Sequence, residues 1–140
     1  MAMLLRKEEI RALLEQARSI AVVGLSDRPE RDSYRVARYM QEHGYRIIPV
    51  NPHLSSVLGL ACLPDLDSIA EPVDIVDIFR RPEYLPEIVE AAIRLKAGAV
   101  WTQIGIVHEE AAQRAIGAGL NVVMDRCLMV EHRMLGISSR

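Results

Sequence analysis

The sequence predicts an α/β fold of three layers, in which helices cover both faces of a parallel β-sheet. Short apolar runs alternate with segments of about 10 to 14 residues whose apolar positions recur with helical spacing. Strand–helix–strand units connect by right-handed crossovers, so this alternation makes successive strands parallel. The chain has 140 residues, of which 50% are apolar. That is enough for one sizeable core and too little for two ordinary domains, so we expect one domain spanning 1–140.

An amphipathic helix followed by a buried strand is expected at the start of the chain. The helical stripe consists of Ile10, Leu13, Leu14 and Ala17. It stops at Ser19, where a continuous apolar run over 20–23 leads to Gly24.

A second helix and a second strand follow. The apolar stripe of this helix consists of Tyr34, Val36, Ala37, Tyr39 and Met40. Ser33 precedes the stripe as an N-cap candidate, and Gly44 follows it as a stop signal. The second strand is expected over 46–50.

Three more strands and two more helices complete the alternation. The strands are expected at 73–78, 99–101 and 121–124, and the helices at about 82–95 and 108–118. A short helical pattern also follows Cys127. The stretch 52–72 is the least regular, with a turn at 59–62 and one helical turn near 65–69.

Composition argues against several classes of partner. A net charge of -2 gives no general attraction to nucleic acid or anionic lipid. One Phe, one Trp and four Tyr are too few for a platform that stacks nucleic-acid bases. No apolar run approaches the roughly 20 residues that cross a bilayer, and the N-terminal stretch is unlike a signal peptide. We expect a cytoplasmic protein that binds neither nucleic acid nor membranes.

The two cysteines, Cys62 and Cys127, predict neither a disulfide scaffold nor a metal site. They are far apart in the sequence and belong to no CxxC or Cys/His spacing. Reduced thiols and no metal are therefore expected.

Polar residues and glycine follow the strands, at the edge where open parallel sheets bind ligands. The first loop contains Gly24, Ser26 and Arg28 and leads to a helix near Ser33. Free N–H groups and a positive dipole end there suit a phosphate. Only one glycine of a GxGxxG pattern is present, so an ordinary strand-to-helix turn is an equal alternative.

The second strand ends in Asn51, Pro52 and His53, where a nicotinamide-binding fold usually carries an acid for the ribose. A neutral residue suits a ribose with its own phosphate, as in NADP or coenzyme A. The alternative is that Asn51 and Pro52 supply turn chemistry alone.

The third strand is followed by an aromatic residue and two arginines, Phe79, Arg80 and Arg81, ahead of Pro82. This combination suits a base and a phosphate, whereas a solvated edge is the alternative. Candidate ligand residues after the fourth and fifth strands are Gln103, Gly105, Asp125, Arg126 and Cys127.

Five segments, taken in order, closely resemble the small stand-alone CoA-binding proteins of bacteria and archaea. They are GLSDRPERDSYRVARYM, YRIIPVNP, PVDIVDIFRRP, VWTQIG and VVMDRC. The match is collinear and covers nearly the whole chain. The chain is also similar, more distantly, to the amino-terminal domain of the succinyl-CoA synthetase α subunit.

The resemblance implies a Rossmann-like α/β/α domain with a five-stranded parallel sheet in the order 3-2-1-4-5. Coenzyme A or an acyl-CoA would lie across its carboxyl edge. The residues implied for the pyrophosphate region are Gly24, Ser26, Arg28, Ser33 and Tyr34. Those implied for the adenosine and its phosphate are Asn51, Pro52, Phe79 and Arg80. Those implied for the pantetheine arm are Gln103, Gly105, Asp125, Arg126 and Cys127.

The leading hypothesis is a non-catalytic CoA-binding module acting as a sensor, a carrier or a partner of another enzyme, with a homo-oligomer also compatible. Synthetase activity is not carried over, because that enzyme uses a phosphorylated His on a second domain for which this chain has no room. The alternative is an NADP- or nucleotide-dependent enzyme, which the sparse glycines argue against. A third hypothesis assigns chemistry on a bound thioester to Asp125, Cys127 and Glu131 or His132.

Overall fold

The computed structural model describes residues 2–138 and contains seven strands and five α-helices in that part of the chain. The strands are β1 Ser19–Val23, β2 Arg46–Val50, β3 Ser56–Val57, β4 Leu60–Ala61, β5 Ile75–Ile78, β6 Ala99–Thr102 and β7 Asn121–Val123. The helices are α1 Lys7–Gln16, α2 Asp32–Glu42, α3 Leu85–Leu95, α4 Glu109–Gly117 and α5 Leu128–Leu135. Short 3-10 turns cover Leu66–Ser68 and Pro82–Tyr84. The predicted alternation is confirmed.

Five strands form one parallel sheet in the order β2-β1-β5-β6-β7, and β3 and β4 form a separate small hairpin. The predicted Rossmann-like α/β class is therefore confirmed, but the predicted order 3-2-1-4-5 is wrong. When the five sheet strands are counted along the chain, the observed order is 2-1-3-4-5. After β2 the chain crosses back over β1, so the strand order reverses between β1 and β5.

Pro49 gives a physical reason for this order. It lies in β2 and has no N–H to donate to a neighbouring strand, which suits an edge strand and disfavours the interior position that 3-2-1-4-5 would require. In the structure β2 is the last strand of the sheet. Its outer side carries only a bridge from Leu63, whose N–H donates to the Pro49 carbonyl oxygen at 2.9 Å.

Apolar side chains pack on both faces of the sheet. Val76 and Ile78 of β5 belong to the cluster that also contains residues of α3 and α4. Ile75 belongs to the opposite cluster, which contains residues of α1, α2 and α5 and the fully buried Trp101. No helix within residues 2–138 is long and apolar enough to cross a membrane.

The start of α2 differs from the prediction. Arg31 occupies the N-cap position, and Ser33 lies one residue inside the helix. The Ser33 hydroxyl oxygen instead accepts a hydrogen bond from the backbone N–H of Ser26 at 3.0 Å. The predicted N-cap role of Ser33 is wrong because its side chain is used to fold the preceding loop back onto the helix.

Candidate functional site

A cleft with three connected lobes runs along the carboxyl edge of the sheet. The wide lobe, about 610 Å³, lies between the β5 and β6 ends and the start of α5. The loop lobe, about 390 Å³, lies against the β1–α2 loop. The narrow lobe, about 270 Å³, lies between the β1 and β2 ends and α3. Each pair of lobes shares a lining residue. Phe79 lines both the wide and the loop lobe, Gly24 lines both the loop and the narrow lobe, and Arg80 lines both the wide and the narrow lobe.

The cleft opens at the reversal of strand order, where β1 and β5 end side by side. The Phe79 N–H donates to the Val23 carbonyl oxygen at 2.9 Å, and the Gly24 N–H donates to that of Val50 at 3.0 Å. Ligands of open α/β sheets bind at such a switch point. The expected position of the site is therefore also the position of the cleft.

Gly24 serves the packing of two strand ends. Its φ is +85°, and a Cβ added there would lie 2.6 Å from the Phe79 carbonyl oxygen. Only glycine adopts this conformation without strain and leaves room for that oxygen. The glycine requirement at this position thus comes from Phe79, although Gly24 also lines two lobes.

The β1–α2 loop is held in shape by its own serines. Besides the bond from Ser26 to Ser33, the Ser26 hydroxyl oxygen accepts a hydrogen bond from the Arg28 N–H at 3.1 Å. Ser26 and the buried Ser33 line the loop lobe. Arg31 at the N-cap makes no side-chain hydrogen bond to the first turn of α2. First-turn N–H groups have no partner within a helix, so this end favours an anion.

Three arginines near the cleft, Arg28, Arg31 and Arg80, form no ion pair within residues 2–138. Arg28 is exposed and lines none of the three lobes. Arg31 lines the loop lobe. By contrast, Arg35 in the wall of the wide lobe pairs with Asp32. Arg31 lines the loop lobe together with the carboxylates of Glu30 and Asp32, so Arg80 is the clearest cationic group without a protein counter-charge.

Arg80 is half-buried, and its guanidinium lies 4.4 Å from the centre of the Tyr84 ring. The neighbouring Arg81 is exposed and reaches Glu83 at 3.5 Å and the Tyr84 hydroxyl at 3.1 Å. The hydrogen bond to that hydroxyl is the main reason why the pKa of Arg81 is raised. Of the two arginines predicted at the β5 end, Arg80 is thus the one left free to bind an anion.

The β2 end uses Asn51 for turn chemistry. Its Nδ2 donates to the Leu25 carbonyl oxygen at 2.9 Å, and its Oδ1 accepts from the His53 N–H at 2.8 Å. Both polar atoms of the side chain are engaged within the protein, which ties the first loop to the second. Pro52 is exposed and lines the narrow lobe.

Besides Phe79 and Arg80, the wide lobe contains three predicted residues, Gln103, Gly105 and Cys127. Gln103 is buried and Cys127 is half-buried. Cys127 is the N-cap residue of α5, and its side chain makes no capping hydrogen bond. The lobe also contains Met129 and Val130, which sequence analysis did not single out.

Three other predicted residues line none of the lobes. The Asp125 carboxylate accepts from the Gly105 N–H at 2.7 Å, and its own N–H donates to the Thr102 hydroxyl at 2.9 Å. Arg126 pairs with Glu131 at 3.4 Å. Tyr34 is half-buried against the core. Asp125 therefore holds the β6 and β7 loops together beside the wide lobe.

His132 does not join Cys127 in a reactive pair. It is buried, and its Nδ1 lies 2.9 Å from the Tyr39 hydroxyl. The His132 ring also packs edge-on against the rings of His43 and Tyr45. The hypothesis of His132 acting on a bound thioester is wrong, because this side chain is part of the packing between α2 and α5.

A buried carboxylate beneath the wide lobe was missed. Asp77 lies within β5 and is 0% exposed. Its Oδ1 accepts a hydrogen bond from Gln103 Nε2 at 2.8 Å. Burial raises the pKa of Asp77 to about 7, against the opposing effects of the bonds from Gln103 and the Ile78 backbone. The signal in the sequence was an acid inside an apolar run predicted to be a central strand.

Comparisons with known proteins show the family to which this chain belongs. A model of the family described as CoA binding domain matches residues 18–133. The uncharacterized protein YneT of Bacillus subtilis (strain 168) is 46% identical over 126 residues, covering 90% of this chain and 93% of YneT. The solved structure of a hypothetical protein from Pyrococcus horikoshii OT3 has a TM-score of 0.90 and 43% identity, covering 94% of this chain and 92% of that one.

A larger relative carries a similar segment. The ADP-forming acetate–CoA ligase II of Archaeoglobus fulgidus is 30% identical over 95 residues, which are 66% of this chain and 14% of the ligase. The resemblance deduced from the five sequence segments is thus confirmed by a family model that covers most of the chain and by a relative of similar length. This chain belongs to the CoA binding domain family.

Proposed function

We propose that this chain, as one domain over its whole length, binds coenzyme A or an acyl-CoA in the three-lobed cleft. It acts without catalysis, as a sensor, a carrier or a partner module in the cytoplasm. The ligand is a small molecule, and neither nucleic acid nor a membrane is involved. The family match supports the ligand class, and the shape of the cleft and the unpaired Arg80 support its place of binding.

The observation that carries the proposal is the half-buried, unpaired Arg80 at the junction of two lobes. A guanidinium that is partly removed from water gains most from an anion held by charge-assisted hydrogen bonds. Within residues 2–138 no carboxylate forms an ion pair with Arg80. A phosphate of CoA would complete this environment.

Each part of CoA has a chemically suitable lobe. The narrow lobe offers Pro52, Ile88 and Ala91 beside Arg80, which suits an adenosine with a ribose phosphate. The loop lobe offers the N-terminal end of α2 and Arg31 for the pyrophosphate, although Glu30 and Asp32 also line it and oppose an anion. The wide lobe combines apolar Met129 and Val130 with Gln103, which suits the pantetheine arm.

The geometry is less favourable to NADP. In dinucleotide-binding loops, a second glycine allows the backbone to approach the pyrophosphate closely. Here the only glycine of the loop, Gly24, is required by the Phe79 carbonyl oxygen. Leu25 after it is fully buried in the core and does not face a ligand. These features favour CoA over a nicotinamide dinucleotide.

A ligand panel tests the proposal directly. The melting temperature of the protein is measured with CoA, acetyl-CoA, NADP, NAD, ATP and S-adenosylmethionine, and the Kd of each stabilising compound is then measured by calorimetry. A ligand at a hundredfold excess over its Kd stabilises the native state by about 2.7 kcal/mol. We expect CoA or acetyl-CoA to stabilise most. Stabilisation by NADP with none by CoA would contradict the proposal.

A separate experiment tests the proposal that the protein acts without catalysis. The protein at micromolar concentration is incubated with acetyl-CoA, and free thiol is followed over hours. We expect the rate of thiol release to equal that of the buffer alone. A rate that rises in proportion to protein concentration would show thioester hydrolysis and contradict this part.

A further inference from the structure

The buried pair of Asp77 and Gln103 has an arrangement that packing alone does not require. Asp77 lies in register between Val22 of β1 and Trp101 of β6, both of which are buried. An apolar side chain would fill this position without placing a carboxyl group out of water, which is costly unless all its polar atoms are paired. Within residues 2–138, Asp77 Oδ2 has no hydrogen-bond partner of normal geometry, although the Ile78 backbone N–H acts on the carboxyl group. The unfavourable burial of the Asp77 carboxyl group indicates that this residue serves the wide lobe above it.

Gln103 links that carboxyl group to the cleft. It is 6% exposed and lines the wide lobe. Its one side-chain hydrogen bond in the described part of the chain is the 2.8 Å bond from Nε2 to Asp77 Oδ1. The carbonyl oxygen Oε1 makes none, and it is not among the fully enclosed polar atoms without a partner. Oε1 is thus open to the lobe.

The chemistry of the pair fixes which end of the amide faces the carboxyl group. An ionised carboxylate only accepts hydrogen bonds, whereas an amide offers donors on nitrogen and acceptors on oxygen. Above the pKa of Asp77 the carboxyl group is ionised, so Gln103 turns Nε2 toward Asp77 and leaves Oε1 for the cleft; the binding measurements are therefore made at pH 8. Without the carboxylate, either orientation of the amide would be allowed.

We infer that Asp77 is a positioning residue, which holds Gln103 so that its carbonyl oxygen accepts a hydrogen bond from an amide N–H of the pantetheine arm. This inference rests on the proposed function, since it assigns the wide lobe to that arm. The pair would favour ligands that present an N–H to the wide lobe. It makes no contribution to binding of the nucleotide end.

A double-mutant cycle tests the inference. The variants are Asp77→Asn, Gln103→Met and the double variant, and the ligands are CoA and 3′-phosphoadenosine 5′-phosphate, which lacks the pantetheine arm. Gln103→Met keeps the length of the side chain and removes the acceptor. Asp77→Asn keeps the shape but allows both orientations of Gln103. We expect each single variant to raise the Kd for CoA roughly threefold to tenfold, the range for one hydrogen bond.

Non-additivity identifies a residue that acts through another. We expect the double variant to bind CoA as Gln103→Met does, because Asp77 has no effect once the acceptor is absent. The Kd for 3′-phosphoadenosine 5′-phosphate should not change in any variant. Additive losses, equal losses for both ligands, or no loss for CoA would each overturn the inference.

Asp74→Asn is the matched control. Asp74 lies just before the same strand, and its carboxylate accepts from the N–H groups of Arg18 at 2.7 Å and Ser19 at 3.1 Å, at the opposite edge of the sheet. We expect this variant to lose stability without a change in the Kd for CoA. A rise in that Kd equal to the rise in Asp77→Asn would show a general effect of losing an acid, and would overturn the inference.

Exchange of the Gln103 side-chain amide protons gives a second measurement on unaltered protein. Their NMR signals are identified by their loss in Gln103→Met, so the result does not depend on Asp77→Asn folding. We expect slow exchange with and without CoA. Fast exchange would overturn the inference even where CoA binds, whereas failure of the unaltered protein to bind CoA would instead overturn the proposed function.

Discussion

A β-carbon at Gly24 would lie 2.6 Å from the carbonyl oxygen of Phe79, so the two loops that border the cleft approach as closely as backbones can. The main chains of the loop after β1 and of the loop after β5 are in contact here. The shape of the cleft consequently depends on a contact between main chains.

Gly24→Ala should destabilise the fold. The variant must place an alanine at φ +85° and move the Phe79 carbonyl, so we expect a loss of about 2 to 4 kcal/mol in the free energy of unfolding. Urea denaturation measures this loss. Gly59→Ala is the control, because Gly59 has φ +74° but nothing within 4 Å of the added carbon. Equal losses in the two variants would contradict the role given to Phe79.

Arg80→Ala should weaken CoA binding by about 1.5 to 3 kcal/mol, the scale of a hydrogen bond to a charged group. We also expect CoA to raise the melting temperature more than dephospho-CoA does, and this difference to disappear in Arg80→Ala. The control is Arg81→Ala. The Arg81 guanidinium already contacts Glu83 and the Tyr84 hydroxyl, so its loss should leave CoA binding unchanged. Equal melting shifts from the two ligands in the unaltered protein would rule out recognition of the ribose phosphate.

Arg28→Ala should weaken CoA binding less than Arg80→Ala does, although the resemblance implies Arg28 for the pyrophosphate region. Because Arg28 is exposed and lines none of the three lobes, we expect a loss of about 1 kcal/mol or less, as for other exposed charge interactions. Calorimetry on Arg28→Ala and Arg80→Ala ranks their losses in CoA binding. A larger loss for Arg28→Ala would show that the loop closes over the ligand.

Stability should fall as the pH rises from about 4 to 7, through Asp77. Its pKa is raised by burial to about 7 in the folded protein, whereas an unfolded Asp titrates near 3.9. Between these values the folded state binds more protons, so the free energy of unfolding decreases as the pH rises, by on the order of 4 kcal/mol. Urea denaturation at pH 4 and pH 8, compared between unaltered protein and Asp77→Asn, isolates this contribution. The same pH dependence in both proteins would contradict it.

The alternation of strands and helices was predictable because their apolar periodicities differ. The end of α2 near Gly44 followed from a stop signal, and the structure agrees with it. Strand order was taken from the resemblance and was wrong, although Pro49 already pointed to an edge position for β2. That signal is local and could have been used.

The candidate site was only partly predictable, since its walls come from packing between distant segments. The strand-end rule indicated Gly24, Phe79, Arg80 and Gln103, which line the lobes, and their contact with a ligand stays a prediction. It could not distinguish Asn51 as a turn residue from Asn51 as a ligand residue, because both roles use the same side chain. Met129 and Val130 face the wide lobe only through the way α5 packs on the sheet.

Cys127 should form a mixed disulfide with CoA when the protein meets CoA disulfide. Cys127 is half-buried in the wall of the wide lobe, together with Gln103. A pantetheine arm in that lobe would bring a sulfur atom toward this thiol. In the reaction, the Cys127 thiolate attacks one sulfur of CoA disulfide, the protein–S–S–CoA bond forms, and the second CoA leaves as a thiolate. The disulfide supplies the oxidation, so no other oxidant is needed.

Intact-mass measurement of the protein, Cys127→Ser and Cys62→Ser decides this prediction. Cys62 is the matched control because it lines none of the lobes, and its pKa is raised by burial and by the charge of Asp27, so less of it is thiolate at neutral pH. We expect one CoA adduct on the unaltered protein and on Cys62→Ser, and none on Cys127→Ser. Excess 3′-phosphoadenosine 5′-phosphate should slow the reaction if the nucleotide end guides the disulfide into the cleft. An adduct that persists in Cys127→Ser would place the reactive thiol at Cys62 and separate the chemistry from the wide lobe.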